Sequence, residues 1–551
     1  MKTYTAHLNY EAVENSVIDK INLNDFVDIL KYPLEKAWIN VGGWQSWSPG
    51  FEVAPGKKQP SLTCRVIKGW NQYLVFPNTT FKVDKNMVLG QFVTYLRWDD
   101  FYLVFASVGN IARTLPPVQF VFDRKNNSVF IEICDKGNYW RRDDITAQIE
   151  IFTANSFFEC RDKLRDIFGF LHLSKIDWLG RSPGGWESWY NHYADINEKL
   201  IEQDLENLTR TENIILEGSL NGTCTSRIFQ IDDGWEQALG DWEVRADRFP
   251  AGFTTLVEKI NAADYIPGLW IAPFIIDARS KTAIEHSDWL LRNQKRELVV
   301  AGYNPLWGKK GNFYCLDLSN DNVIEHLDKL MEKLINEWGF RYIKLDFLYA
   351  GMLYGDYYNK TASYKVYNRA VQILTKRNTN NKGEPVAYLG CGLVFELSFK
   401  NMPLSRIGCD TYEHWKNKLA RVLNWNGRNE AYLNLKDTLG HALWNRTIFA
   451  NDPDVFFLRS QNCSLTQKEK LLIAKVNSIF GTQFMYSDDP GKEGVNEHQL
   501  QQEILEFRKK FAWEEFGLRQ TGPDYYEIFT KDESIKGYID LSKKREFILK
   551  E

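Results

Sequence analysis

The chain has 551 residues, more than one hydrophobic core supports, so two or three domains are expected. An apolar share of 44% and a charged share of 25% exclude a disordered chain, and a formal charge of -4 with no Lys/Arg-rich stripe excludes a nucleic-acid surface. The first residues, MKTYTAHLNYEAVENS, lack an apolar core of signal-peptide length, and no segment offers about 18 uninterrupted apolar residues, so a cytoplasmic chain without membrane partners is expected.

Up to residue 168 the text reads as short alternating strands, among them 73–83, 87–98, 101–108 and 128–135, separated by Asn, Asp and Gly turns. That pattern predicts an antiparallel β-sandwich. From residue 169 the period changes from 2 to 3.6, which predicts parallel strands joined by crossover helices. Strand text at 184–193, 227–235, 266–275, 341–351, 387–392, 405–410, 455–459 and 482–487 makes eight units. Helical text lies between them at 197–208, 252–264, 321–339, 363–378, 441–451 and 467–480. Eight such units predict a central (β/α)8 barrel over 169–515, which needs roughly 250 residues or more. Residues 516–551 read as a small antiparallel β-domain with a hairpin turn at Lys531 and Asp532.

In such a barrel the chemistry sits where strands end, so the polar residues that close the apolar runs are the candidates. They are aspartates: Asp232 and Asp233 close the second strand, Asp346 the fourth and Asp410 the sixth. A single aspartate at a strand end is most often a turn former or helix cap. Four converging on one mouth are harder to assign to turns. The pair Asp232–Asp233 suits either a metal or sugar hydroxyls. No His or Glu stands at ligand spacing, which favours hydroxyls, and no metal is expected. Eight cysteines without a C-x-x-C pair and eight histidines without metal spacing signal neither zinc nor disulfides. Aromatic residues reach 14%, and their faces suit both the C–H face of a sugar and the packing of cores. Two carboxyl groups suffice for glycoside hydrolysis when their surroundings separate their pKa values. Lys344, on the same strand face as Asp346, is expected to keep Asp346 ionised as a nucleophile, leaving Asp410 as the protonated partner.

The motifs GWQSWSPG at 43–50, FQIDDGW, YIKLDF, LGCG and RIGCDT, in that order, resemble those of glycoside hydrolase family 36, the compact bacterial α-galactosidases of melibiase type. The resemblance implies a retaining exo-glycosidase acting on α-galactosyl oligosaccharides without a cofactor, with Asp346 as nucleophile and Asp410 as acid/base. It further implies that Asp232 and Asp233 hold galactose hydroxyls and that Lys344, Cys391 and Arg406 complete the sugar site. Trp189, Tyr190 and Trp270 would wall the pocket, and Trp44 or Trp47 would cover it. The sixth-strand motif carries Cys409 where the family more often has Pro, and the loop between Cys391 and Arg406 is unlike the common text. A galactosyl-transferring relative, an α-N-acetylgalactosaminidase and a non-catalytic carbohydrate-binding protein remain open, as does a homo-oligomer.

Overall fold

The computed structural model describes residues 2–7, 17–60, 81–108, 117–133, 146–169, 176, 178–180, 182–210, 226–304, 307, 311–417 and 430–550. Cys64, Cys134, Cys224 and most of the expected strand at 73–83 lie outside them. The N-terminal part is a sandwich of a six-stranded and a four-stranded antiparallel sheet. The stretch 87–98 does not run as one strand: Met87–Gln91 joins the four-stranded sheet and Val93–Trp98 the six-stranded one. Phe92 stands between them at a φ of 55°, and the turn it makes lets the chain change layers.

Strand alternation in the six-stranded sheet explains how sandwich and barrel become one body. Leu96, Leu103, Phe105, Ile149 and Ile151 point into the sandwich core, whereas Tyr95, Tyr102, Val104, Phe152 and Ala154 join the apolar cluster shared with the barrel. Successive side chains face opposite sides of a sheet, so a sheet buried on both faces reads as continuous apolar text. Helix Phe157–Phe168 then leads toward the barrel, capped by the Ser156 hydroxyl at its start and by left-handed Gly169 at its end.

Among the described residues the barrel strands are Pro183–Glu187, Ser226–Ile231, Ile266–Ile271, Tyr342–Leu345, Ala387–Gly390, Leu404–Arg406, Ala450–Asp452 with Val455–Phe456, and Phe484–Tyr486, all paired in parallel. The two short segments are halves of one seventh strand interrupted at Pro453 and Asp454. Ala450–Asp452 pairs with the sixth strand and Val455–Phe456 with the eighth, which in turn pairs with the first. The ring therefore closes through the interrupted strand.

Two expectations are corrected here. The seventh strand begins earlier than 455: Ala450–Asp452 pairs with the sixth strand, although 450–451 reads as the end of the helical text. The helical text at 441–451 forms only the short 3₁₀ turn Ala442–Trp444, and the helix lies upstream at Ala431–Gly440. Its last residue, Gly440, packs closely on the N-terminal part: a Cβ there would run into the Gly50 carbonyl. A further helix, Val495–Phe511, precedes the C-terminal meander of Phe516–Gly522, Tyr525–Thr530, Lys536–Asp540 and Glu546–Lys550.

The segment at 43–50 docks on the loop after the fifth strand. Ser46 N–H donates to the Leu393 carbonyl at 3.1 Å, Phe395 N–H donates to the Trp44 carbonyl at 3.1 Å, and Leu393 N–H donates to the Ser46 hydroxyl at 2.9 Å. Gly50 N–H donates to Asp437 at 3.2 Å, and the His441 ring donates to the Gly42 carbonyl at 2.7 Å. The unfamiliar loop between Cys391 and Arg406 is thus a docking element for the N-terminal part.

Candidate active site

The barrel gathers the strand-end residues at one mouth, in two groups, each built on a buried cation. In the first group the Lys344 ammonium lies 2.8 Å from Asp232 and 3.7 Å from Glu187. Gln230, on the second strand, donates to Asp232 at 2.7 Å and to Glu187 at 3.1 Å. The sequence expectation set Lys344 beside Asp346; its ammonium makes its ion contacts with Asp232 and Glu187. Glu187 ends the first strand and is buried, and burial pushes its carboxyl up to about 8, against the pull of Lys344 and with the push of Asp232. Asp232 is fixed from behind by its own N–H donating to the Ser188 hydroxyl at 2.9 Å. Beside it, Asp233 accepts from the Trp307 indole at 3.0 Å, and burial together with Glu236 drives its carboxyl well above the usual range. Gly234 takes the turn that follows at a φ of 112°, where a side chain would strike the Ala194 backbone.

Asp346 directly follows the fourth strand. Its Oδ2 accepts from the Trp270 indole at 2.9 Å and its Oδ1 from the Phe347 N–H at 2.8 Å, while its own N–H donates to the Ile271 carbonyl. Two donors on two oxygens hold the carboxylate in one orientation. Phe347 adopts a φ of 55°, a costly conformation for a bulky residue and one that gathers at functional sites. Its ring meets Trp47 edge-on at 5.1 Å and Trp307 at 5.3 Å. Trp47 therefore reaches the surroundings of Asp346, whereas Trp44 meets the fifth-strand loop through its carbonyl. Cys391 lies buried after the fifth strand, and burial, with the charge of Asp346 next in weight, keeps its thiol protonated.

The second group surrounds Arg406 on the sixth strand. Its Nε donates to Asp452 at 2.8 Å, its Nη2 lies 2.8 Å from Asp454, and its Nη1 donates to Asp410 at 3.2 Å. The Asp410 side chain stays 38% exposed, so a substrate can reach it. Even so, the protein around it raises its carboxyl to about 7: burial contributes most, then the charge of Asp454, opposed by Arg406 and Lys344. Tyr190 is buried beneath this group and donates its hydroxyl to Asp454 at 2.7 Å. Trp189 packs edge-on against Tyr193 at 5.3 Å. Cys409 turns its sulfur toward the Glu430 carbonyl at 4.0 Å.

Sequence reasoning missed Glu187, Trp307, Asp452 and Asp454. The Asp-Pro-Asp text at 452–454 offered a signal, since two acidic residues of the same parity flank a proline before an apolar run. Trp307 offered none, because a long excursion after the third strand brings it back to Asp233. Among the described residues no group of three His, Cys, Asp or Glu side chains is arranged to hold a metal ion.

Residues 188–369 match the Melibiase family model. The matched stretch lies within the barrel. Probable alpha-galactosidase C of Aspergillus flavus is 29% identical over 177 residues, which cover 29% of this chain and 21% of that relative. Alpha-galactosidase Mel36A of Lactobacillus acidophilus is 26% identical over 166 residues, 29% of this chain and 20% of its own length. The matched segment thus spans about a fifth of the curated relatives. Likeness to solved structures extends further. TtGalA, the alpha-galactosidase of Thermus thermophilus in complex with p-nitrophenyl alpha-D-galactopyranoside, superposes with a TM-score of 0.70 at 25% identity, covering 93% of this chain and 91% of that one. The GH36 alpha-galactosidase AgaA of Geobacillus stearothermophilus shares the fold with a TM-score of 0.60 at 13% identity, over 92% of this chain and 67% of that one. The melibiase match begins at Ser188, at the mouth of the first strand, and so takes in Asp232, Asp233, Trp270, Lys344 and Asp346.

Proposed function

We propose that this chain hydrolyses terminal α-linked D-galactose from oligosaccharides with retention of configuration, Asp346 acting as nucleophile and Asp410 as acid/base. The observation that carries the reading is the contrast between the two carboxyl groups: Asp346 is held by two donors in an acceptor's posture, while Asp410 is raised to about 7 and remains open to solvent. A retaining glycosidase needs one carboxylate that attacks and one acid that protonates the leaving oxygen. Asp346 attacks the anomeric carbon, the Asp410 proton passes to the departing oxygen, and Asp410, now ionised, takes a proton from the water that releases the sugar. Two inversions return the α-anomer. Asp232 and Asp233 accept hydrogen bonds from the sugar hydroxyls, and Trp47 with Phe347 bounds the site on the side of the N-terminal part. The named ligand of the Thermus structure supports the glycone.

We further propose a cytoplasmic location and a division of the chain at 168 and 515. Among the described residues no helix is long and apolar enough to cross a membrane.

The test is hydrolysis of nitrophenyl α-galactoside, α-N-acetylgalactosaminide, β-L-arabinopyranoside and α-glucoside, with the product anomer followed by NMR. α-Galactoside should be preferred and α-galactose should appear first. Initial β-galactose would refute the nucleophile assignment, and silence on all four would favour a binding protein. Because the first step needs protonated Asp410, kcat/KM for an unactivated galactoside should fall as pH rises through about 7.

A further inference from the structure

Asp454 sits where the seventh strand breaks, with a φ of 73° after Pro453. It is 2% exposed. Its Oδ1 lies 2.8 Å from the Arg406 Nη2. Its Oδ2 accepts the Tyr190 hydroxyl at 2.7 Å and the Thr411 N–H at 2.8 Å, and Thr411 is the residue after Asp410. Its own N–H donates to Asp452 at 3.1 Å, tying together the two carboxylates that share Arg406. This is a buried carboxylate with three donors, placed one step behind the group that needs a proton.

An arginine whose only partner is a carboxylate holds that carboxylate ionised. Arg406 touches Asp410 through a single contact of 3.2 Å, while Asp452 and Asp454 take its other two directions at 2.8 Å. We propose that Asp454 is a positioning residue that keeps the proton on Asp410, by drawing the Arg406 charge away from it and by anchoring the Thr411 backbone beside it. The inference rests on the reading of Asp410 as acid/base.

The groups that act on Asp410 come from every neighbouring element. Tyr190 follows the first strand, Lys344 and Asp346 stand on or just after the fourth, Cys391 follows the fifth, and Arg406 and Asp454 belong to the sixth and seventh. Lys344 is engaged with Asp232 and Glu187, Tyr190 and Cys391 stay neutral, and Asp346 repels a second negative charge. Asp454 is the largest charge contribution among them that opposes ionisation of Asp410. The energetic tension is deliberate in its location: strained non-glycine residues stand just beyond the fourth and sixth strands and within the broken seventh, at Phe347, Tyr412 and Asp454.

Asp454→Asn keeps the shape, and Asn tolerates the left-handed backbone. Without the negative charge, ionised Asp410 is favoured, so its proton is lost at lower pH. The experiment measures kcat/KM against pH with melibiose as substrate. The alkaline limb of Asp454→Asn should move down by about one pH unit, with about a tenfold loss of kcat/KM above the limb. Asp452→Asn should move it the same way by less. Tyr190→Phe, which keeps every charge, should move it by no more than a few tenths.

A uniform loss of activity with the Asp454→Asn limb unmoved would overturn the inference, as would a Tyr190→Phe shift as large as that of Asp454→Asn. If Asp454→Asn does not fold by circular dichroism, Asp452→Asn decides, and an unmoved limb there overturns the proposal. Asp410→Asn, assayed on 4-nitrophenyl α-galactoside, separates the two layers of the argument. If its alkaline limb persists, the acid/base reading itself falls. If its limb vanishes while that of Asp454→Asn stays in place, only the role of Asp454 falls.

Discussion

Arg97 in the sandwich and Arg406 in the barrel are both 2% exposed, yet they keep different company. Arg97 has one carboxylate, Glu52, bound through Nε at 2.8 Å and Nη2 at 2.5 Å, and its remaining donors meet the Asp99 and Gln520 carbonyls at 3.0 and 2.6 Å. Tyr95 donates to the same Glu52 at 2.9 Å. One positive charge meets one negative charge, and each of the three guanidinium nitrogens donates. The bond to Gln520 also staples the first C-terminal strand to the sandwich. Arg406 instead faces Asp410, Asp452 and Asp454, an excess of negative charge that only a shared proton or a substrate relieves. Balanced pairing serves stability, whereas an unbalanced cluster raises the energy of the empty site and tunes its titration.

Four substitutions would sharpen or break that contrast. Asp346→Ala removes the attacking group and should lower turnover on nitrophenyl α-galactoside by about four orders of magnitude or more, with no loss of melting temperature. Asp410→Ala should lower turnover of an unactivated galactoside by about 10²–10⁴ and of the nitrophenyl substrate by much less. Because it removes one carboxylate from a crowded group, it should also leave thermal stability equal or higher, as expected where function opposes stability. A clear drop in melting temperature for either variant would mean that the carboxylates hold the fold rather than strain it. Arg97→Met should show the reverse pattern: Glu52 is stranded in the interior, unfolding free energy measured in denaturant falls by about 3–5 kcal/mol, and activity per folded molecule is kept. Trp270→Phe gives the smallest effect. It deletes the indole donor to Asp346, worth about 1–3 kcal/mol, and should cost roughly ten- to a hundredfold in kcat/KM.

The sandwich, the strand–helix alternation and the aspartates at the strand ends were all legible in the text, because each depends on periodicity or on the residue that follows an apolar run. The partners of those aspartates were not. Lys344 shares a strand face with Asp346, and that parity suggested a pair, yet its ammonium reaches past the third strand, which lies between, and binds Asp232 at the end of the second. The seventh strand was read only from 455 on for a related reason: Pro453 breaks the local pattern, and only the register with its two neighbours shows that both halves belong to the sheet.

What the sequence determined by itself is therefore the kind of architecture and the identity of the carboxylates, both written in local pattern and chain order. The tertiary structure alone decided how the surroundings of each carboxylate bear on its proton, which cation serves which anion, and which tryptophan of the 43–50 segment meets Phe347. Those depend on distances between groups tens to hundreds of residues apart and on how much water the packed chain excludes around them, and neither quantity has a signature in the order of residues.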